Sequence, residues 1–373
     1  MKKNILGVIL LVAISAATIT GCTSNVGTAS SWPGFNVNDE IAVVSYASKI
    51  YALDTQNGTK VWTYPAETNT SVAFYAPVEF ADGMVLAGDY GHTLYAINEN
   101  NGLLTWKFEG ADNRYVASSL YAGGYIYAPN ADGKLYVLDQ NGALQWTFET
   151  AGPNWSKPVA DEQYVYLTSM DHHIYALNLS YASADLTADK NGNRIMVEKP
   201  IWVTDLETAV VSDPLFSDGY LYVGTIAGKV FKVDASNGSV VWTFQDDTLV
   251  KSVWTKPTMV DDVLFFATED GYIFALNIET GDPVWNAPLA SGTQIVASAV
   301  EFNGSVGFGT TTGNLVIVDK DQVTAPSIIR DGSIYTTPYF VDGKLFLTYV
   351  GGDKLVYALD ENGREFWSFS TQD

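Results

Sequence analysis

Cysteine is nearly absent from this chain: Cys22 is the single one among 373 residues. That excludes a disulfide framework, a cysteine-ligated zinc site and a thiol nucleophile in the folded part, so stability has to come from packing. Histidine is almost as scarce, with only His92, His172 and His173. A three-histidine metal centre would have to bridge distant turns, and neighbouring residues on a strand point to opposite sides, so no metal site is expected. Basic residues are outnumbered, 20 against 42 acidic, for a net charge of −22. A surface of that sign repels phosphate backbones, which argues against nucleic acid as a partner. It reports solubility and says little about fold. A Gly-x-Ser-x-Gly elbow, a phosphate loop and a His-Glu-x-x-His helix are all missing, so nothing points to hydrolysis and no catalytic residue is assigned.

Long apolar runs are missing too, except at the start. Lys2 and Lys3 make a short basic opening, Ile5 to Ile14 an apolar stretch, and small residues lead to Gly21 and Cys22. That is the pattern of an export leader, and the run is too short and too interrupted by Ser15 and Thr18 to remain as a span. Ile19-Thr-Gly-Cys22 resembles the bacterial lipobox, in which the cysteine becomes the lipid-bearing N-terminus. The expected organisation is therefore a leader over 1–22 with lipidation at Cys22, a polar tether over 23–31 and a folded part over 32–373. Without Lys2 and Lys3 the remainder carries 18 basic and 42 acidic residues, a net charge of −24. The protein is expected outside the cytoplasm, anchored by lipid either to the outer membrane facing the periplasm or to the outer face of the cytoplasmic membrane.

What the chain does have is repetition. An apolar-Tyr-Ala-Leu-Asp phrase, then Asn-Gly, then Trp recurs about every forty residues, the spacing of propeller blades. Copies stand at Tyr51–Asp54 with Gly58 and Trp62, Tyr95–Asn98 with Gly102 and Trp106, and Tyr136–Asp139 with Gly142 and Trp146. They continue at Tyr175–Asn178 with a delayed Trp202, Phe231–Asp234 with Trp242, Phe274–Asn277 with Trp285, and Tyr357–Asp360 with Trp367. Val316–Asp319 lacks the tryptophan, so its blade is expected to be the loosest. Each copy follows a shorter apolar strand, often through Asp-Gly, as at Asp82-Gly83, Asp218-Gly219 and Asp342-Gly343, which reads as a hairpin turn. The expected fold is all-β, an eight-bladed β-propeller of four-stranded antiparallel blades whose faces bury one another. The seven tryptophans read as structural staples between blades.

These repeats resemble the pyrroloquinoline-quinone-type (PQQ-like) propeller family, and the resemblance runs from Trp32 to the C-terminus. Together with the lipobox, the eight repeats also look like the BamB-like lipoproteins that scaffold outer-membrane β-barrel assembly. The resemblance implies a non-enzymatic scaffold or binding module, monomeric, with an envelope protein as partner and no cofactor. Quinoprotein dehydrogenases of the family use adjacent cysteines, a metal-coordinating carboxylate set and a catalytic aspartate. The adjacent cysteines are absent here, which leaves a quinone-dependent oxidoreductase as the alternative; a carbohydrate or small-ligand binder is another.

Two irregularities stand out from the repeat. Residues 181–199 interrupt the fourth blade, and within them Asp189-Lys-Asn191-Gly-Asn193 resembles the start of a calcium loop, although a plain Asn-Gly turn accounts for it. The second lies before the strand-opening prolines: Phe74-Tyr-Ala-Pro77, Trp155-Ser-Lys157-Pro158, Val211-Ser-Asp-Pro214, Trp254-Thr-Lys256-Pro257 and Tyr335-Thr-Thr-Pro338. If these strands are innermost, Phe74, Trp155, Lys157, Trp254, Lys256 and Tyr335 ring one mouth of a central channel. Aromatic faces there would suit a sugar, a flat ring or a peptide anchor, and the lysines a carboxylate or phosphate.

Overall fold

The computed structural model describes residues 32–67, 69–179, 184–188, 194–246 and 251–371, with residues 184–188 and 194–198 described by backbone alone. The leader, Cys22, the tether and the Asp189–Asn193 turn lie outside the described residues. Short apolar segments bounded by Asp-Gly and Asn-Gly turns read as strands, and the described elements are all strands. In the first blade Gly34–Val37, Ile41–Tyr46, Lys49–Asp54 and Lys60–Tyr64 pair antiparallel in chain order. That order recurs in all eight sheets, so the chain is an eight-bladed β-propeller. The hairpin turns are as expected: Asp82 and Gly83, Asp218 and Gly219, and Asp342 and Gly343 all have positive φ, the mirror-image turn that matches strand twist.

The interruption in the fourth blade does not extend that blade. Ala184–Ala188 and Arg194–Glu198 form a hairpin, and the second of them runs parallel to the outer strand Leu144–Glu149 of the third blade, with Met196 opposite Trp146. The third sheet thereby becomes six-stranded, and the fourth is completed by Trp202–Asp205.

Eight apolar clusters fill the molecule, one at each blade-to-blade interface. The repeat phrase explains how they lock. Its Asp or Asn caps the following turn by accepting backbone N–H groups two to four residues on, as Asp54, Asn98 and Asp139 do. The indole on the outer strand then reaches the equivalent turn of the next blade. Trp62 donates to Glu99 O at 2.6 Å, Trp106 to Gln140 O at 2.8 Å, Trp202 to Ala235 O at 2.9 Å and Trp242 to Ile278 O at 3.0 Å. Trp285 reaches Lys320 O at 2.8 Å. In the third blade Tyr127 donates to the corresponding carbonyl, Leu179 O, at 2.8 Å, beside a buried Trp146.

The glycine of the turn is set by the same contact. At Gly102, φ is +71°, and an added Cβ would lie 2.9 Å from the Trp62 side chain. Gly102→Ala is therefore expected to cost about 2–4 kcal/mol, combining left-handed strain with displacement of a buried ring. Gly83→Ala, also at positive φ but with nothing within 4 Å of the new Cβ, is expected to cost only about 1–2 kcal/mol. Urea unfolding of the two variants checks the difference; equal losses would mean the indole contact contributes nothing.

The seventh blade lacks the tryptophan but not the contact. Ile328 is buried beneath Gly363, where an indole would sit, and Arg330 donates to Gly363 O at 2.6 Å while lying 5.5 Å from the centre of the Tyr357 ring. An aliphatic side chain and a guanidinium thus share the work of one indole, while the outer strand itself spans only Ile328–Ile329.

Closure uses no shared strand. Blade eight meets blade one through packing of Phe346, Val356 and Trp367 against Phe35, Ala42 and Val44. Across this seam Trp367 donates to Thr55 O at 3.0 Å, Thr336 donates through its hydroxyl to Pro33 O, and Trp32 stacks on Tyr335 at 5.1 Å and 7°.

Candidate functional site

The first strands of neighbouring blades touch one another, so they are innermost and line a central channel. Alternate residues on each strand face that channel. The residue between them is small or hydroxylated and turns into its own blade: Ser156 donates to Thr168 O, Ser212 to Gly224 O and Thr255 to Ala267 O. This internal anchor ties the inner strand to the second strand in blades four, five and six, whereas Thr336 of blade eight reaches Pro33 O of blade one.

The first channel-facing row is Trp32, Tyr75, Val116, Trp155, Val211, Trp254, Val296 and Tyr335, all lining one cavity of about 240 Å³. Five aromatics and three valines make an apolar collar. Within it the indole N–H groups of Trp155 and Trp254 are buried and have no acceptor among the described residues. An unpaired buried donor costs about 1–3 kcal/mol, and the indoles of Trp62, Trp106, Trp202, Trp242, Trp285 and Trp367 avoid that cost by reaching a carbonyl.

The second row brings Ser118, Lys157, Asp213, Lys256, Ser298 and Thr337 to the waist of the channel. Lys157 sits 2.6 Å from Glu79 of the second blade, reaching across from the fourth. Its backbone amide donates to Asp213 Oδ1 at 2.7 Å. Burial raises the Asp213 pKa, opposed by that amide and by the charges of Lys256 and Lys157. Burial likewise lowers the Lys256 pKa, opposed by Asp213 and reinforced by Lys157. Below the waist the channel widens into a vestibule with cavities of about 420 and 290 Å³ that share Lys157, Asp213, Leu215, Phe216 and Lys256.

Of the six residues singled out in the sequence, Trp155, Lys157, Trp254 and Tyr335 share the upper cavity, and Lys256 lies at the waist. Phe74 does not join them. It is fully buried between the first two blades, against Tyr64 and Tyr95 at 6.4 and 5.5 Å, and Tyr75 takes the channel position. The reason is register: Pro77 stands one residue earlier than Pro158, Pro214, Pro257 and Pro338, in the row of Lys157. Ala76, buried like Ser156 and Ser212, would have marked the true alignment. Trp32, which stacks on Tyr335 at the seam, is also a member of the collar. Glu79 and Asp213 were missed because no sequence spacing shows that they meet lysines from other blades.

The ion pair at the waist carries a stability consequence. With side chains 29% exposed for Lys157 and 12% for Glu79, Lys157→Met is expected to cost about 2–3 kcal/mol by stranding the carboxylate, somewhat less than for a fully buried pair. The Lys157→Met/Glu79→Gln double variant should recover most of it in urea unfolding. Equal losses in single and double variants would mean that packing, not charge, is what Lys157 contributes.

The histidines form no centre: His92 and His172 are exposed at left-handed turn positions, and His173 hydrogen-bonds Asp171 O through Nδ1 at 2.8 Å. Among the described residues no group of three or more His, Cys, Asp or Glu is placed to hold a metal ion.

Comparison with known proteins now assigns the fold to a family. The model of the outer membrane protein assembly factor BamB matches residues 12–180 and 186–328. The chain belongs to this BamB family. BamB from Moraxella catarrhalis superposes with a TM-score of 0.69 at 20% identity, over 86% of this chain and 92% of that one. The computationally designed Ika8 protein superposes equally well, with a TM-score of 0.70 at 16% identity over 89% and 96% of the two chains, so likeness of this kind shows the fold alone. Among curated proteins, the quinoprotein alcohol dehydrogenase PedH of Pseudomonas putida is 26% identical over 200 residues, 49% of this chain but only 31% of its own. The chain thus spans about a third of that relative's length. A quinone held with a divalent cation needs clustered, free carboxylates. In this BamB-family channel Glu79 is taken by Lys157 and Asp213 by the Lys157 amide, so the residues present do not fit that group.

Proposed function

We propose that this chain is a lipid-tethered, extracytoplasmic scaffold of the BamB type, which binds an envelope protein partner and catalyses no reaction. The match to the outer membrane protein assembly factor family over most of the chain carries this reading. The leader and Cys22 supply the tether, and the apolar collar around Trp155 and Trp254 supplies the anchoring surface: aromatic side chains with unpaired donors are the chemistry that makes interface hot spots. Crosslinking the tagged protein in its native cells and identifying partners in the membrane fraction by mass spectrometry tests it. Reproducible capture of an envelope assembly protein supports the scaffold, and no enriched partner in any condition overturns it.

The likeness to PedH supports one other reading, a quinone-dependent oxidoreductase. Mixing the purified chain with pyrroloquinoline quinone and calcium, then following quinone absorbance through gel filtration, separates the two. Retained quinone with dye reduction would replace the scaffold reading; quinone that elutes free removes the alternative.

A further inference from the structure

The lower half of the channel is not used by the reading above, and it contains an ammonium without a direct ion pair. Lys157 is neutralised by Glu79 at 2.6 Å, and Asp213 accepts from the Lys157 amide through Oδ1 at 2.7 Å. Lys256 contributes its backbone amide to Ser298 Oγ at 2.8 Å, but among the described residues its ammonium has no hydrogen-bond acceptor and no carboxylate within ion-pair distance. That ammonium belongs to the waist and lines both cavities of the vestibule. A charge held in a half-buried channel with only the more distant charge of Asp213 to balance it is costly, and an anion placed against it gains a charge-assisted hydrogen bond.

The walls restrict which anion. Leu215, Phe216 and Met259 line the vestibule and offer no charge, while Ser298 and Thr337 add hydroxyls beside Lys256. Asp213 shares the layer and opposes a second negative charge, which disfavours a dianion such as phosphate. The chain as a whole carries −22, so it does not gather small anions from a distance, and attraction has to come from an apolar body once inside. Cavities of about 420 and 290 Å³ accommodate such a body. We propose that the vestibule binds an apolar monocarboxylate, its carboxylate on Lys256 and its hydrocarbon part against Leu215, Phe216 and Met259. A fatty acid and the free end of an apolar peptide present the same chemistry. The proposal is independent of the protein partner proposed above.

The test is calorimetric titration of decanoate into the full chain carrying Cys22→Ser, which removes the lipid acceptor. Decanoate is expected to bind. Lys256→Met, which keeps the aliphatic stem, should weaken binding about tenfold or more, the value of one charge-assisted hydrogen bond. Asp213→Asn, which retains an acceptor for the Lys157 amide, should strengthen binding several-fold, and because the two variants move in opposite directions a folding defect cannot imitate the pattern. Decanol lacks the charge and inorganic phosphate lacks the apolar body, so both should bind at least tenfold more weakly than decanoate. N-acetyl-Ala-Ala-Leu, compared as free acid and as amide, asks whether the carboxylate can come from a chain end. Lys256-dependent binding of either acid supports the site. Binding of neither acid, an unchanged affinity in Lys256→Met, or decanol binding as well as decanoate overturns it.

Discussion

Trp367→Ala is expected to open the propeller at its seam, lowering the unfolding free energy by about 3–5 kcal/mol, the range for deleting a buried tryptophan. Trp367 is 7% exposed, packs on Phe346 at 5.8 Å between ring centres, donates to Thr55 O and fills the space above Gly58, where a Cβ would lie 2.5 Å away. Trp62→Ala removes an equally buried indole with the same kind of hydrogen bond, to Glu99 O. The global cost of the two should be similar and the local consequence different. Blades one and two remain joined by the short segment between Tyr64 and Glu79, so a loosened interface is still held by the chain. Blades eight and one are joined by no peptide, and their strands do not cross. Side-chain packing closes the ring there, with hydrogen bonds that include Trp367 to Thr55, Thr336 to Pro33 and Lys344 to Gln56.

Native-state hydrogen exchange distinguishes these cases. In Trp367→Ala the amides of Gly34–Val37 and Glu365–Phe369 should exchange by local opening well before the rest, whereas in Trp62→Ala the loss should appear as a uniform decrease. If both variants lose protection uniformly, closure is as robust as any interior interface and the seam has no special weakness. Blade seven offers an internal comparison, because Ile328 and Arg330 serve in place of an indole against Gly363. Its interface is expected to exchange no faster than its neighbours.

The propeller was readable because its repeat unit encodes each step locally. Asp or Asn caps the turn, glycine supplies the positive φ, and tryptophan sits opposite the repeat's alanine, as Ala52 faces Trp62 and Ala358 faces Trp367. The fifth blade shows what a departure means: Lys232 replaces that alanine, is buried, and donates to Ile278 O at 2.9 Å, the carbonyl that Trp242 also uses. The channel was readable only in part. Proline aligned four blades correctly and failed at Pro77, because proline tolerates any strand opening where no ladder donor is needed, so it marks a neighbourhood and not a register. The buried hydroxyl or alanine is the stricter marker, since it must fit against the next strand. The pairing of Lys157 with Glu79 was beyond any local reading. Those residues are 78 positions apart, and only the closed ring brings the second and fourth blades, which are not neighbours, within ion-pair reach.

Replacing both Trp155 and Trp254 by alanine is expected to abolish partner capture while leaving a folded propeller, with a loss of stability smaller than that of one staple variant. The reasoning rests on the difference between two kinds of tryptophan in one chain. A staple indole loses apolar burial and a hydrogen bond together when it is removed. The collar indoles are only partly buried and carry donors without acceptors, so truncation forfeits less apolar burial and also relieves about 1–3 kcal/mol of unpaired-donor cost at each. Binding should respond in the opposite sense, because an incoming acceptor satisfies both donors and covers the collar around Tyr75 and Tyr335. Thermal unfolding and crosslinking in native cells, carried out on the double variant and on Trp62→Ala in parallel, check both halves. A double variant that melts far below Trp62→Ala yet still captures the partner would make the collar a packing element, and the scaffold surface would then have to lie on the outer loops.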